Sequence, residues 1–266
     1  MNYLLPILNH FFKELNLHAA RVHTFNSFIK NFKTYLQGNE PSNRLLLSGK
    51  DVFRDLSNFS VYNLINTGYS YRLDVKDLEI EIDKVLSWEY YSSLIQIYEL
   101  FNSYIYNLTT EYILSNPQKI EKVRLNLNEN EFSADIIRDK IKEKYKTKDI
   151  LKVPLRLSQY YKSNITANIH GLNISKWFAL LTEVRHAVVH KQYQISKKLF
   201  EMSSDKQNRR IFDEYFDKKS NGNIQLLYLN LEKFELNKTM LCEIAHFIFK
   251  SLSIDSGLDS IYTKLN

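Results

Sequence analysis

The sequence predicts a mainly α-helical protein: a helical bundle with an N-terminal helical extension and one short β-strand or hairpin. Three observations predict it. Gly and Pro, which interrupt helices, number only six and four in 266 residues. The long patterned segments repeat their apolar residues at steps of three and four, the helical period. One segment departs from this: Ile224, Leu226, Tyr228 and Asn230, interleaved with Leu227, Leu229 and Leu231, suit a strand or hairpin arm.

Taken in order, Leu8, Phe11, Phe12 and Leu15 mark a helix from Pro6 to Leu17, and Val22 to Leu36 mark a second from Ala20. Gly38 to Asn43 reads as a loop, since a Gly that stops a helix is followed by Pro41. Turns are expected at Ser48-Gly49-Lys50-Asp51 and Thr67-Gly68-Tyr69-Ser70, with Asp51 capping a short helix to Phe59. Leu78 to Ile82 fits strand and helix equally. Trp88 to Leu114 is the longest periodic segment and the spine of the bundle, ended by Asn116-Pro117. Asp135 to Lys148 is a helix whose lysines form a solvated surface. Beyond Pro154, the residues Arg156, Tyr160, Tyr161 and Lys162 are placed to line a groove. A mobile connection is expected around Ser203-Ser204-Asp205, within 197–220, and a final helix from about Lys238 to Leu252. Two regions follow: residues 1–75 as the helical extension and 76–266 as the bundle.

Composition narrows the function. The formal net charge of +6 permits an anionic partner without proving one. The single cysteine, Cys242, rules out an intramolecular disulfide and reads as a buried inert thiol. No apolar run approaches the ~20 residues of a membrane span. The opening residues make a poor signal peptide, so the expected location is cytoplasmic.

The chemistry concentrates in Trp177 to Tyr193, read as one helix. Trp177, Leu180, Leu181, Val184, Ala187 and Val188 form one apolar stripe at about 100° per residue. Glu183, His186, His190 and Tyr193 project from the opposite side, with Arg185 on the flank. Ser175 is the expected N-cap. Arg185 and His190 stand roughly 140° apart and about 7.5 Å along the axis, too far for one straight helix to grip a small anion with both. Either the helix is irregular there or two copies of the chain share the site, as a symmetric dimer permits.

The segment Glu183-Val184-Arg185-His186-Ala187-Val188-Val189-His190 resembles the signature of the HEPN superfamily, an Arg followed by a polar residue and then a His about four to six positions on. The resemblance covers about residues 76 to 255. It implies a small helical bundle, homodimeric, that in many members is a metal-independent endoribonuclease acting as a toxin or in phage defence. RNA is then the substrate, with an antitoxin or defence-system protein as a further partner and no cofactor or metal. His190 would take the proton of a ribose 2′-OH and Arg185 would stabilise charge on the attacked phosphate. His186 would orient His190 or protonate the leaving 5′-oxygen. Glu183 would hold Arg185 or a histidine across the interface, and Tyr193 and Lys191 would contact substrate. In the branch silenced by nucleotidyl transfer, a Tyr stands two residues after the His; here Gln192 holds that place and Tyr193 follows it.

Two other readings compete. Some members of the superfamily only bind RNA or a partner, which makes a non-catalytic adaptor the main alternative. Glu183-x-x-His186 and Glu243-x-x-His246 also match the paired motif of carboxylate-bridged di-iron bundles, although both pairs point away from their apolar stripes.

Overall fold

A computed structural model of the chain describes residues 2–38, 44–47, 52–54, 64–66, 71–74, 77–127 and 132–261. Among these the architecture is mainly helical, with strands only in short antiparallel pairs. The chain divides into two compact units, Met1–Val22 with Ser87–Asn266, and His23–Leu86, so the boundary drawn at residues 75 and 76 falls inside the second unit.

The first helix, α1, spans Leu5–Gly38 without a break where the sequence suggested two. Nothing between Leu17 and Ala20 stops a helix, and the apolar period runs on through Ala19 and Val22, both buried. The spine, α2, spans Leu78–Ser115. It therefore takes in Leu78 to Ile82, whose ambiguous pattern it resolves as helix. At 1.5 Å per residue it is about 57 Å long.

In the larger unit, Leu8, Phe11 and Leu15 of α1 are buried, and Phe11 lies 6.1 Å from Phe101 and 4.9 Å from Tyr104 of α2. The next helix, α3 (Ala134–Lys144), stops short of the expected Lys148 and buries only Ile137 and Ile141, leaving most of its lysines in solvent. A short 3-10 turn at Thr147–Asp149 then leads to α4 (Lys152–Leu157) and α5 (Gln159–Asn164). Pro154 stands in the first turn of α4, where its missing N–H costs nothing. Tyr161, expected in a groove, is fully buried and lies 5.1 Å from Phe247.

The central helix, α6, spans Ile174–Lys191. Its N-cap is Asn173, whose side chain accepts from the Lys176 N–H, and not Ser175. The segment expected to be mobile instead forms α7 (Lys197–Ser204) and α8 (Lys206–Tyr215), capped by Ser196 and Asp205. The break between them sits where the expected connection was centred, but both helices bury apolar residues: Leu199 in α7, and Ile211, Phe212 and Tyr215 in α8. Short, strongly amphipathic helices with many charges hide their few apolar positions from a periodicity count.

Strands β5 (Asp217–Asn221) and β6 (Ile224–Tyr228) form the expected hairpin, turning at Gly222 with φ +58°. The last helix, α9 (Leu231–Asp255), begins about two turns before Lys238, capped by Asn230. Lys233 on α9 donates to the Asp213 and Phe216 carbonyls and to Asp217, tying the end of α8 to the start of β5.

In the smaller unit the described parts of residues 44–74 are short strands, within a region expected as a helical extension. β1 (Arg44–Leu47) pairs with β4 (Tyr71–Asp74), and β2 (Val52–Arg54) with β3 (Leu64–Asn66), both antiparallel. The short helix expected after Asp51 is replaced at Val52–Arg54 by β2; the rest of it, the remainder of the loop after Gly38 and the turns at 48–51 and 67–70 lie outside the described residues. Lys33 pairs with Glu79 at 2.6 Å. No helix among the described residues is long and apolar enough to cross a membrane.

Asn237 is fully buried on α9, and its amide nitrogen donates to the Tyr215 and Lys233 carbonyls at 2.8 Å each. Asn237→Ala strands the Tyr215 carbonyl at the end of α8, so urea unfolding should show a loss of about 1–3 kcal/mol with an unchanged slope.

Candidate active site on the central helix

The apolar side of α6 is as the stripe predicts: Trp177, Leu180, Leu181, Val184 and Ala187 are buried, and Val188 partly so. Phe178 joins them, 5.4 Å from Tyr98 and 5.8 Å from Phe101 of α2. The Tyr98 hydroxyl meets Thr182 at 2.9 Å, and Thr182 donates onward to the Phe178 carbonyl. Burial pushes the Tyr98 phenol above its ordinary pKa, while the hydrogen bond with Thr182 pulls it back.

One turn further on, Arg185 is held by Glu99 of α2. Both its Nε and Nη2 lie 2.9 Å from the same carboxylate oxygen, Oε1. The side chains are 33% and 44% exposed, so the pair contributes under about 1 kcal/mol to stability. Its consequence is geometric: two donors of the fork are committed and the others stay available to an anion. His186 and His190 are exposed and in ring contact, their centroids 4.9 Å apart at 49°. An exposed imidazole pair beside a fixed guanidinium supplies a proton acceptor, a proton donor and a positive charge.

The other expected residues are placed differently. Glu183 pairs with Lys198 of α7 rather than with Arg185 or a histidine of its own chain. Lys191 is exposed at the last helical position. Tyr193 does not share the helix's polar face, because the helix ends at Lys191. Gln192 and Tyr193 take left-handed backbone angles, φ 49° and 66°, which swing the Tyr193 ring onto Trp88 and Tyr91 of α2. Burial, and then the Glu89 carboxylate, raises the Tyr193 phenol above its ordinary pKa, so it stays neutral.

Glu99, Lys198 and Trp88 were not among the residues singled out from the sequence. Glu99 and Trp88 lie on the spine helix, and no local spacing connects positions so distant in the chain. The paired Glu-x-x-His motifs do not converge. Glu243 bonds His170 at 2.5 Å, Glu183 bonds Lys198, and among the described residues no group of three or more His, Cys, Asp or Glu is placed to hold a metal ion.

No family model, no curated protein and no solved structure matches the chain.

Cys242 is partly buried on α9, and burial pushes its thiol up to about 11. At pH 8 the native protein should therefore react with iodoacetamide at least about tenfold more slowly than the urea-unfolded chain, as read by mass spectrometry.

Proposed function

We propose that this chain is a metal-independent endoribonuclease of the HEPN type that works as a homodimer. The supporting observation is the surface of α6, where Arg185, fixed by Glu99, shares one helical segment with the exposed and touching imidazoles of His186 and His190. His190 takes the proton from a ribose 2′-OH, and the freed oxygen attacks the adjacent phosphorus. The P–O5′ bond breaks and His186 returns a proton to the leaving oxygen. The products carry a 2′,3′-cyclic phosphate and a 5′-OH. Arg185 offers its free N–H donors to the phosphate as charge gathers there. RNA is the substrate because the attacking hydroxyl is absent from DNA.

The helix is uninterrupted from Ile174 to Lys191, so no irregularity brings Arg185 and His190 onto one bearing. A second copy, apposed through the same patch, supplies the complementary residue. An RNA-cutting activity that needs no metal offers no cofactor to withhold. Its control as a toxin or phage-defence effector then falls to a partner protein such as an antitoxin.

One observation favours the alternative, a non-catalytic RNA- or protein-binding adaptor: Glu99 already neutralises much of the charge of Arg185. Cleavage decides between the two. In excess EDTA the wild type should cut total RNA and leave cyclic phosphate ends, while His190→Ala and Arg185→Ala, both altered at solvent-accessible positions, should fall by at least about a hundredfold. RNA binding without any cleavage supports the adaptor instead.

Mixing the two inactive variants tests the shared site. If Arg185 of one copy serves His190 of the other, each mixed dimer regains one intact site, so an equal mixture recovers about a quarter of wild-type activity on statistical pairing. If both residues act from one copy, the mixture stays inactive.

A further inference from the structure

Trp88 is 50% exposed on a helix whose neighbouring aromatics, Tyr90 and Tyr91, are buried. Exposure alone is ordinary for a single surface ring; what sets Trp88 apart is how it is held. Trp88 is not loose: it stacks on Tyr193, centroids 6.1 Å apart at 26°, and Tyr91 supports Tyr193 from 6.0 Å. Tyr193 reaches it only through two successive left-handed residues, Gln192 and Tyr193, neither of them glycine. Such a backbone is unfavourable for L-residues and persists where the surroundings hold it. Two hydrogen bonds do so here, from the Tyr193 N–H to the Ala187 carbonyl at 3.2 Å and from the Leu227 N–H to the Tyr193 carbonyl at 2.8 Å.

The position of the pair is also informative. Helices α2 and α6 run antiparallel, since Glu99 meets Arg185 while Trp88 and Tyr91 meet Tyr193. The stacked pair therefore stands at one end of the same seam, about 16 Å along α2 from Glu99. His190 and the exposed Lys191 lie just before Tyr193 in the chain.

We propose that Trp88 and Tyr193 form a stacking platform for an unpaired nucleobase of single-stranded RNA, at the end of the α2–α6 seam that also carries Arg185. This deepens the ribonuclease reading and rests on it. An aromatic ring takes a base only when that base is free of its own stack, so the platform selects single strands, loops or bulges over duplex. Glu89, next to Trp88 in the chain, keeps phosphate off the platform itself, and the RNA backbone follows Lys191 and Arg185. Any base offers a π-face, so the platform positions RNA without reading sequence.

The chain has two tryptophans, and Trp177 is fully buried, so external quenching of intrinsic fluorescence reports Trp88. The probe is a short oligouridylate, single-stranded or annealed to oligoadenylate, titrated into the His190→Ala chain so that nothing is cut. The single strand should quench the fluorescence and shield Trp88 from acrylamide, and the duplex should do neither. Trp88→Leu should weaken single-strand binding about tenfold, while Trp88→Phe should bind nearly as well as Trp88 itself. Single-strand binding that leaves fluorescence and acrylamide access unchanged overturns the platform without requiring any variant to fold. Equal shielding by the duplex overturns it as well, as does an absence of RNA binding. Cleavage by the wild type is read separately. RNA cut with Trp88 unaffected leaves the ribonuclease standing and removes the platform; Trp88 shielded with no RNA cut keeps the platform and removes catalysis.

Discussion

The packing of α2 against α6 is the constraint on which the candidate site depends. Phe178 lies against both Tyr98 and Phe101, and Phe11 of α1 adds a further ring 6.1 Å from Phe101. Each such ring pair is worth about 0.5–1.5 kcal/mol beyond its area burial. Because these rings are wide and buried, the two helices have little freedom to rotate or slide past one another. The Tyr98–Thr182 hydrogen bond then sets the register, since a shift by one position would bury a hydroxyl without a partner.

That register decides which polar residues meet. With Tyr98 opposite Thr182, Glu99 falls opposite Arg185, and further along the seam Trp88 and Tyr91 fall opposite Tyr193. The apolar contacts supply the stability, while the partly exposed ion pair adds little to it and mainly aims a guanidinium. The remaining helices support this arrangement from behind: the Tyr104 hydroxyl donates to the Ala245 carbonyl of α9, and Trp177 meets Tyr215 of α8 edge-on at 6.0 Å. The exposed histidines are therefore mounted on a helix whose opposite face is locked into the core.

The fold class was legible because helices announce themselves over many turns. The stripe from Trp177 to Val188 and the period from Leu94 to Tyr112 both lie inward as expected. Failures occurred where the signal is short or where a cap decides. Leu199, Ile211 and Phe212 are too few among charged neighbours to mark α7 and α8 as helices. Asn173 and Ser175 are both competent N-caps, and only the direction taken by the backbone selects Asn173. The strands at 44–74 are three or four residues long, below what alternation can establish.

By itself the sequence determined a helical protein whose titratable residues Arg185, His186 and His190 share one helix away from the apolar stripe, because helical periodicity is a local property carried by neighbours in the chain. It also placed a hairpin at Ile224 to Tyr228, where alternation is equally local. Only the tertiary structure decided that Glu99 holds Arg185, that Lys198 takes Glu183, and that Tyr193 leaves the helix to stack on Trp88. Those pairings join residues between 15 and 105 positions apart. They follow from how aromatic surfaces fit together when whole helices pack, and no spacing within one helix contains that information.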